Sequence, residues 1–391
     1  MPAIRPIGRT GQRHCLHISQ KDLSRRNAET THVLELARAL VEIGWRVRVV
    51  APAVGKSEVS VPFRIDYLPA LNSPRLLRLL TYEVSLLLYL CTRPEVWLRR
   101  VSFYVRKGTI LLSPMVLARV LGIPIILEVN ALDTEIELHT KLHPAVLAVL
   151  QKLSRLSFRL ATRIVVPVET VKDALLAEGV PAAKVSAIAN GVNEAMFHRI
   201  EGDVARKILG LDDGIYICYT GHMGSWQGLD TLLAAVAEAG APVRLLLVGD
   251  GPLRPAFERQ AQRLGIERRA IFKGPVPLGE LPVYVSAADI CVVPATVATH
   301  SPVKLFEYLA CERPVIGSNV PGIREVVGRY ECGWLAEPGD VHDWADKIRA
   351  AVSAPPEQRR AMGIKGRDAV LKHYTWKAAA RQVEPMLNRV V

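Results

Sequence analysis

The segment Ser301-Pro302-Val303-Lys304-Leu305-Phe306-Glu307-Tyr308 sets a lysine and a glutamate three residues apart, just inside what reads as a helix start. Ser301 suits the N-cap and Pro302 the first helical position, so the free amides and the positive dipole end of this turn face whatever lies beyond it. Lys304 could neutralise a phosphate there, and Glu307 could accept two ribose hydroxyl protons. The plainer reading is an i,i+3 surface pair worth ~0.2–0.5 kcal/mol. Two glycine-rich turns upstream have matching chemistry. Gly221-His222-Met223-Gly224-Ser225-Trp226-Gln227-Gly228 follows a strand-like run and precedes a helical one, so its backbone can approach a phosphate closely. Val248-Gly249-Asp250-Gly251-Pro252 is a tight turn after a buried strand. Arg254 stands where G-x-G-x-x-G needs its third glycine, which argues against a nicotinamide oxidoreductase.

These turns need strands to carry them. β-rich runs alternate with amphipathic helical stretches along nearly the whole chain, the pattern of parallel sheets wrapped by helices. In the first half the strand candidates are 14–19, 47–51, 64–68, 96–98, 124–129, 164–167 and 185–188, and the helix candidates are 32–43, 74–90, 110–121, 144–160 and 170–178. After Ala189-Asn190-Gly191-Val192-Asn193 the alternation restarts, with strands at 215–220, 244–248, 270–272, 290–293 and 314–317. The restart predicts two α/β domains, 1–193 and 194–375. A last helix follows at 376–391, with Trp376, Ala379, Val383 and Leu387 on one stripe, free to pack on either domain.

Half of the 391 residues are apolar and 23% are charged, enough to build large cores and to exclude disorder as the main state. The net charge of +12 is uneven: residues 1–190 hold 26 Lys and Arg against 15 Asp and Glu, whereas residues 191–391 hold 24 against 23. Nucleic acid is disfavoured as the partner of that excess, since the chain has no recognised motif and no dense Lys/Arg run. Attraction to an anionic membrane leaflet fits better, because Arg75 and Arg78 lead a Leu-rich helix and Lys152, Arg155 and Arg159 punctuate another. Each helix alone could equally be a packed domain helix. Six single cysteines with no C-x-x-C pair predict buried, reduced thiols in a cytosolic protein. The N-terminus lacks the apolar run of a signal peptide, and the most apolar stretch, 110–127, is broken by prolines and glycine, so the expected location is cytoplasmic.

Taken in order, several motifs resemble the retaining glycosyltransferases of family 4, which have the GT-B fold of two Rossmann-like domains. They are His32 to Leu40, Leu127-Glu128-Val129-Asn130-Ala131, Ala189 to Asn193 with Phe197, Gly228-Leu229-Asp230, the Gly249 turn, Lys304 to Tyr308, and Pro321 to Val327. The resemblance implies a UDP- or GDP-linked sugar donor held mainly by the second domain and an acceptor held mainly by the first. Transfer would proceed with retention and need no further cofactor. On the donor side it points to Gly221, His222, Gly224, Gly249, Gly251, Ser301, Pro302, Val303, Lys304, Leu305 and Glu307.

The sequence departs from the family pattern in places. Glu307 matches the second glutamate of E-x7-E, but the first falls on Thr299. His222 and Gln227 stand where many members have Arg and Lys, which leaves Lys304 as the diphosphate partner. Asn130 replaces a common histidine, and the loop 20–31 lacks a double glycine. A subgroup with a Ser-Pro-x-Lys-Leu-Phe-Glu-Tyr helix looks similar at these places. No Asp-x-Asp occurs in the chain, so metal independence is expected, with Lys304, the glycine turn and helix amides meeting the leaving diphosphate. Glu29, Asn130, Asp133 and Glu135 are the candidates for orienting the acceptor, with loop solvation as their ordinary role. The acceptor is expected to be a glycan, a lipid-linked species or one at a membrane surface. A GT-B nucleotide-sugar epimerase and a non-catalytic sugar-binding scaffold remain as alternatives.

Overall fold

A computed structural model describes residues 13–24, 28–55, 60–72, 74–109, 111–130, 144–240, 242–297 and 303–388. The chain divides into two compact units. One holds residues 1–167, 171–188 and 379–391, and the other holds 168–170 and 189–378.

The first unit is a parallel sheet of seven strands: β1 (His14–Ile18), β2 (Arg46–Pro52), β3 (Arg64–Leu68), β4 (Val101–Arg106), β5 (Ile125–Glu128), β6 (Arg163–Val166) and β7 (Val185–Ala187), in the order β3-β2-β1-β4-β5-β6-β7. Its helices are α1 (Ala28–Glu42), α2 (Arg75–Cys91), α3 (Pro94–Trp97), α4 (Ser113–Leu121), α5 (Pro144–Leu160) and α6 (Glu169–Ala177). The strands are near-continuous apolar runs because helices cover both faces of a parallel sheet. β4, for example, is buried along its whole length.

The second unit repeats the plan with α7 (Gly202–Leu209), β8 (Ile215–Thr220), α8 (Leu229–Ala239), β9 (Val243–Val248), α9 (Arg254–Arg263), β10 (Ala270–Gly274), α10 (Leu281–Ala287), β11 (Ile290–Val293), α11 (Val303–Ala310), β12 (Val315–Ser318), α12 (Pro321–Tyr330), β13 (Gly333–Ala336), α13 (Val341–Ser353) and α14 (Pro356–His373). Its sheet runs β10-β9-β8-β11-β12-β13, all parallel. Alternate residues of β8 feed two cores: Tyr216 and Cys218 pack with α11 and α12, while Ile217 and Tyr219 pack with α8 and α13. α15 (Trp376–Leu387) begins in this unit and ends in the first, where Ser102 Oγ donates to Leu387 O (2.6 Å) and Arg13 pairs with Glu384.

Three sequence expectations change. Residues 96–98 are not a strand: Pro94 starts the short α3 and the strand is β4. α4 begins at Ser113 rather than at 110, where Glu83 caps it by accepting the N–H groups of Leu112 (2.7 Å) and Ser113 (2.5 Å). Cys91 is exposed at the end of α2, whereas the other five thiols are buried and burial pushes Cys15, Cys311 and Cys332 up to about 12, which keeps them inert. No helix among the described residues is long and apolar enough to cross a membrane.

Candidate active site

In an open parallel sheet, ligands bind beyond the carboxyl ends of the strands where the strand order reverses. In the second unit that point lies between the neighbours β8 and β11. β8 runs into the Gly221–Gly224 turn and β11 leads toward α11, so the fold brings together the two motifs that stood out for their chemistry.

The turn is built backbone on backbone. Gly221 N–H donates to Val248 O (2.9 Å) and Met223 N–H to Asp250 O (2.9 Å). A Cβ on Gly249 would stand 2.0 Å from Gly221 O, and one on Gly251 2.5 Å from Met223 O. Glycine is therefore required at both positions for the second turn to support the first. Gly221 itself has φ of 131°, in the region that favours glycine. At Gly224 a side chain would crowd His222 and Trp226, whose rings stack at 5.4 Å.

Lys304 projects from the first turn of α11 onto this loop. Its Nζ donates to Gln227 Oε1 (2.7 Å) and Tyr219 OH (3.1 Å) and lies 4.2 Å from the centre of the Tyr219 ring. A Cβ on Gly221 would sit 3.1 Å from Nζ, so the ammonium rests against the turn. Burial draws the Lys304 pKa down to about 7, with Glu307 opposing. Burial likewise raises Glu307 to about 7, with Lys304 opposing. Among the described residues the Glu307 carboxylate has no hydrogen bond or ion pair. Leu305 faces the core instead, and Tyr308 pins the helix to β8 by accepting the Thr220 N–H at 2.7 Å. Val303 opens the described part of α11. Ser301 and Pro302, with Thr299 and His300, lie outside the described residues.

In the first unit the order reverses between β1 and β4. At their carboxyl ends His17, Arg106 and Glu128, from three adjacent strands, meet His32 of α1. Arg106 pairs with Glu128 at 2.6 Å, and His32 lies 3.5 Å from the same carboxylate. Burial alone would raise Glu128; the His32 and Arg106 charges and the Asn130 amide outweigh it and hold the carboxyl at about 2. His17, fully buried edge-on to Tyr104, has no hydrogen-bond partner on either ring nitrogen among the described residues. Burial depresses it to about 3, so it is neutral. Asn130 donates its side-chain amide to Glu128. Glu29, at the start of α1, pairs with Lys21 at 2.5 Å. Both acceptor-side candidates are thus engaged by neighbours at the carboxyl edge of the sheet; Asp133 and Glu135 lie outside the described residues. Sequence reasoning did not single out His17 and Arg106. Their one signal was a charged or polar residue within an otherwise apolar strand.

Residues 203–369 match the model of the group 1 glycosyl transferases, and residues 30–195 match that of Glycosyltransferase Family 4. The chain belongs to glycosyltransferase family 4. It is 27% identical over 357 residues to the 2-deoxystreptamine glucosyltransferase of Streptomyces kanamyceticus, covering 83% of this chain and 89% of that protein. It is 29% identical over 214 residues to the D-inositol 3-phosphate glycosyltransferase of Rhodococcus erythropolis, covering 52% of this chain and about half (48%) of that protein. Among solved structures, the sucrose-phosphate synthase of Thermosynechococcus elongatus superposes with a TM-score of 0.78 at 23% identity, covering 96% of this chain and 98% of that one. Anabaena HepE in complex with UDP superposes with a TM-score of 0.76 at 17% identity, covering 96% and 99%. These likenesses, with the two parallel-sheet units, show the GT-B fold. The chain is an enzyme of this glycosyltransferase family.

Proposed function

We propose that this glycosyltransferase moves a sugar, with retention, from a UDP- or GDP-linked donor to a glycan or lipid-linked acceptor at a membrane surface, without a metal. One observation carries the donor side: the Lys304 ammonium lies against the Gly221 turn with the Glu307 carboxylate one helical turn further along α11. As the glycosidic bond breaks, an oxocarbenium-like sugar forms and negative charge grows on the leaving diphosphate. Groups already aimed at that charge lower the barrier most. Lys304 would shed its Gln227 and Tyr219 contacts for phosphate oxygens, and the turn amides would add to it. Glu307 would accept the ribose hydroxyl protons. His222 and Trp226 form a ring pair at the rim of the same turn. Retention with no enzymic nucleophile follows the family pattern, the acceptor attacking the face that the diphosphate leaves.

Incubation with UDP- and GDP-sugars, with and without EDTA, tests this reading. Expected are slow donor hydrolysis in the presence of EDTA and release of the sugar as the donor's anomer. Turnover abolished by EDTA and restored by magnesium or manganese would overturn metal independence. Conversion of the donor into its epimer with no acceptor present would assign an epimerase instead.

A further inference from the structure

We propose that the outer face of α2, α3, α4 and α5 in the first unit is a docking surface for an anionic phospholipid bilayer. α2 is apolar on two sides. Leu79, Tyr82, Leu86, Tyr89 and Leu90 face the core, while Leu76, Leu77, Leu80, Val84, Leu87 and Leu88 recur at helical spacing on the opposite side and are 44–62% exposed. A helix that only covered a sheet would carry polar residues there. The apolar strip continues sideways, because α2 touches both α3 and α4, and α4 touches α5. It takes in Trp97 and Leu98, then Val116 and Val120, then Val146, Val149 and Leu156, all exposed. A contiguous exposed strip of this kind marks an interaction site.

Charge selects the occupant. Arg99 and Arg100 flank the Trp97-Leu98 edge; Arg119 stands between Val116 and Val120; and Lys152, Arg155 and Arg159 line the exposed side of α5. Arg99 adopts a φ of 53°, unusual for a residue with a side chain. Against these cations, the one carboxylate on α2, α4 and α5 is Glu83, and it is spent capping α4. Glu95 of α3 is partly buried and lies 3.7 Å from Arg48. A two-fold contact with a second copy would bury this cationic face against itself, with no exposed acid among the described residues of α2, α3, α4 and α5 to receive it. A nucleic acid would leave the leucines wet. A bilayer with anionic headgroups satisfies both parts: side chains of Leu and Val enter the acyl boundary, Trp97 sits at headgroup level, and the cations meet lipid phosphates. The proposal deepens the membrane-surface reading of the acceptor. Its test does not depend on turnover, so failure of one is distinguishable from failure of the other.

The test is co-sedimentation of the full chain with phosphatidylcholine vesicles, with and without phosphatidylglycerol, across a salt series. Binding is expected to the phosphatidylglycerol vesicles, weakened but not abolished by salt. The exposed triple variant Leu76→Gln/Leu80→Gln/Val84→Gln should bind at least about tenfold more weakly. Lys152→Glu/Arg155→Glu/Arg159→Glu should lose at least about 100-fold. An unchanged circular dichroism spectrum and melting transition of the first unit in both variants would confirm that they fold. No binding to either vesicle, binding indifferent to both variants, or a concentration-dependent dimer of the wild type that the leucine variant abolishes would overturn the proposal.

Discussion

A donor diphosphate that meets Lys304 must bring a proton with it. In the free site burial holds this ammonium at about 7, against an ordinary 10.5. Beside a diphosphate its pKa would return to at least the ordinary value, so the bound state keeps a proton that the free state has largely lost above neutrality. Affinity should then be flat on the acid side of Lys304 and fall toward tenfold per pH unit above it, or roughly 30-fold between its plateau and pH 8.5, equivalent to about 2 kcal/mol. The mirror effect belongs to Glu307, raised to about 7, which must be ionised to accept ribose hydroxyl protons. Binding of an intact nucleotide-sugar, whose diphosphate does not titrate in this range, should therefore peak near neutrality. Calorimetry in two buffers of different ionisation heat counts the net protons: near pH 7 the half proton taken up at Lys304 cancels the half released by Glu307, and at pH 8.5 close to one is taken up. Lys304→Met should remove the alkaline limb and leave the acid limb. Affinity independent of pH from 7 to 8.5, with equal heats in both buffers, would refute the placement of the phosphates on Lys304.

The buried groups give further tests. His17 is neutral in the fold at about 3 against 6.5 when free, so its contribution is full above pH 6.5 and is lost as pH falls toward 3. By pH 5 the first unit should have lost about 2 kcal/mol that His17→Phe does not lose, read by hydrogen exchange at the two pH values. Arg106→Met strands the buried Glu128 and should cost about 3–5 kcal/mol in the same assay, with most of it recovered in the double variant that adds Glu128→Gln. Gly249→Ala would drive a Cβ into the Gly221 carbonyl, costing about 1–3 kcal/mol and disturbing the turn; loss of nucleotide binding at an intact melting transition of the first unit checks it.

Local signals carried the alternation of strands and helices and the glycine turns, because each depends on residues close in sequence. Strand β4 is hard to read for a local reason: Val96-Trp97-Leu98 is an apolar triplet just after Pro94, and the chain turns at Arg99 before the true strand, which ends in Arg106. Strand β13 went unread because Gly333 and Trp334 do not look like a strand; glycine is needed there, since a Cβ would stand 1.9 Å from Val315 O. The meeting of His17, His32, Arg106 and Glu128 was not legible, since it arises from the pairing of β1 with β4 and β4 with β5, fixed by the order of the sheet rather than by any short motif. On the donor side, Lys304 and Glu307 could be picked out from their spacing. That Tyr219 and Gln227 hold the ammonium against the turn could not, since they lie 85 and 77 residues from Lys304.

In the proposed reaction the second unit holds a nucleoside diphosphate between the Gly221 turn and α11. Thermal shift with UDP, GDP and ADP on the wild type, Lys304→Ala and Glu307→Ala tests it most directly. Strong stabilisation of the wild type by UDP or GDP is expected, lost in Lys304→Ala and reduced in Glu307→Ala. Stabilisation by one diphosphate that persists undiminished in both variants would contradict it.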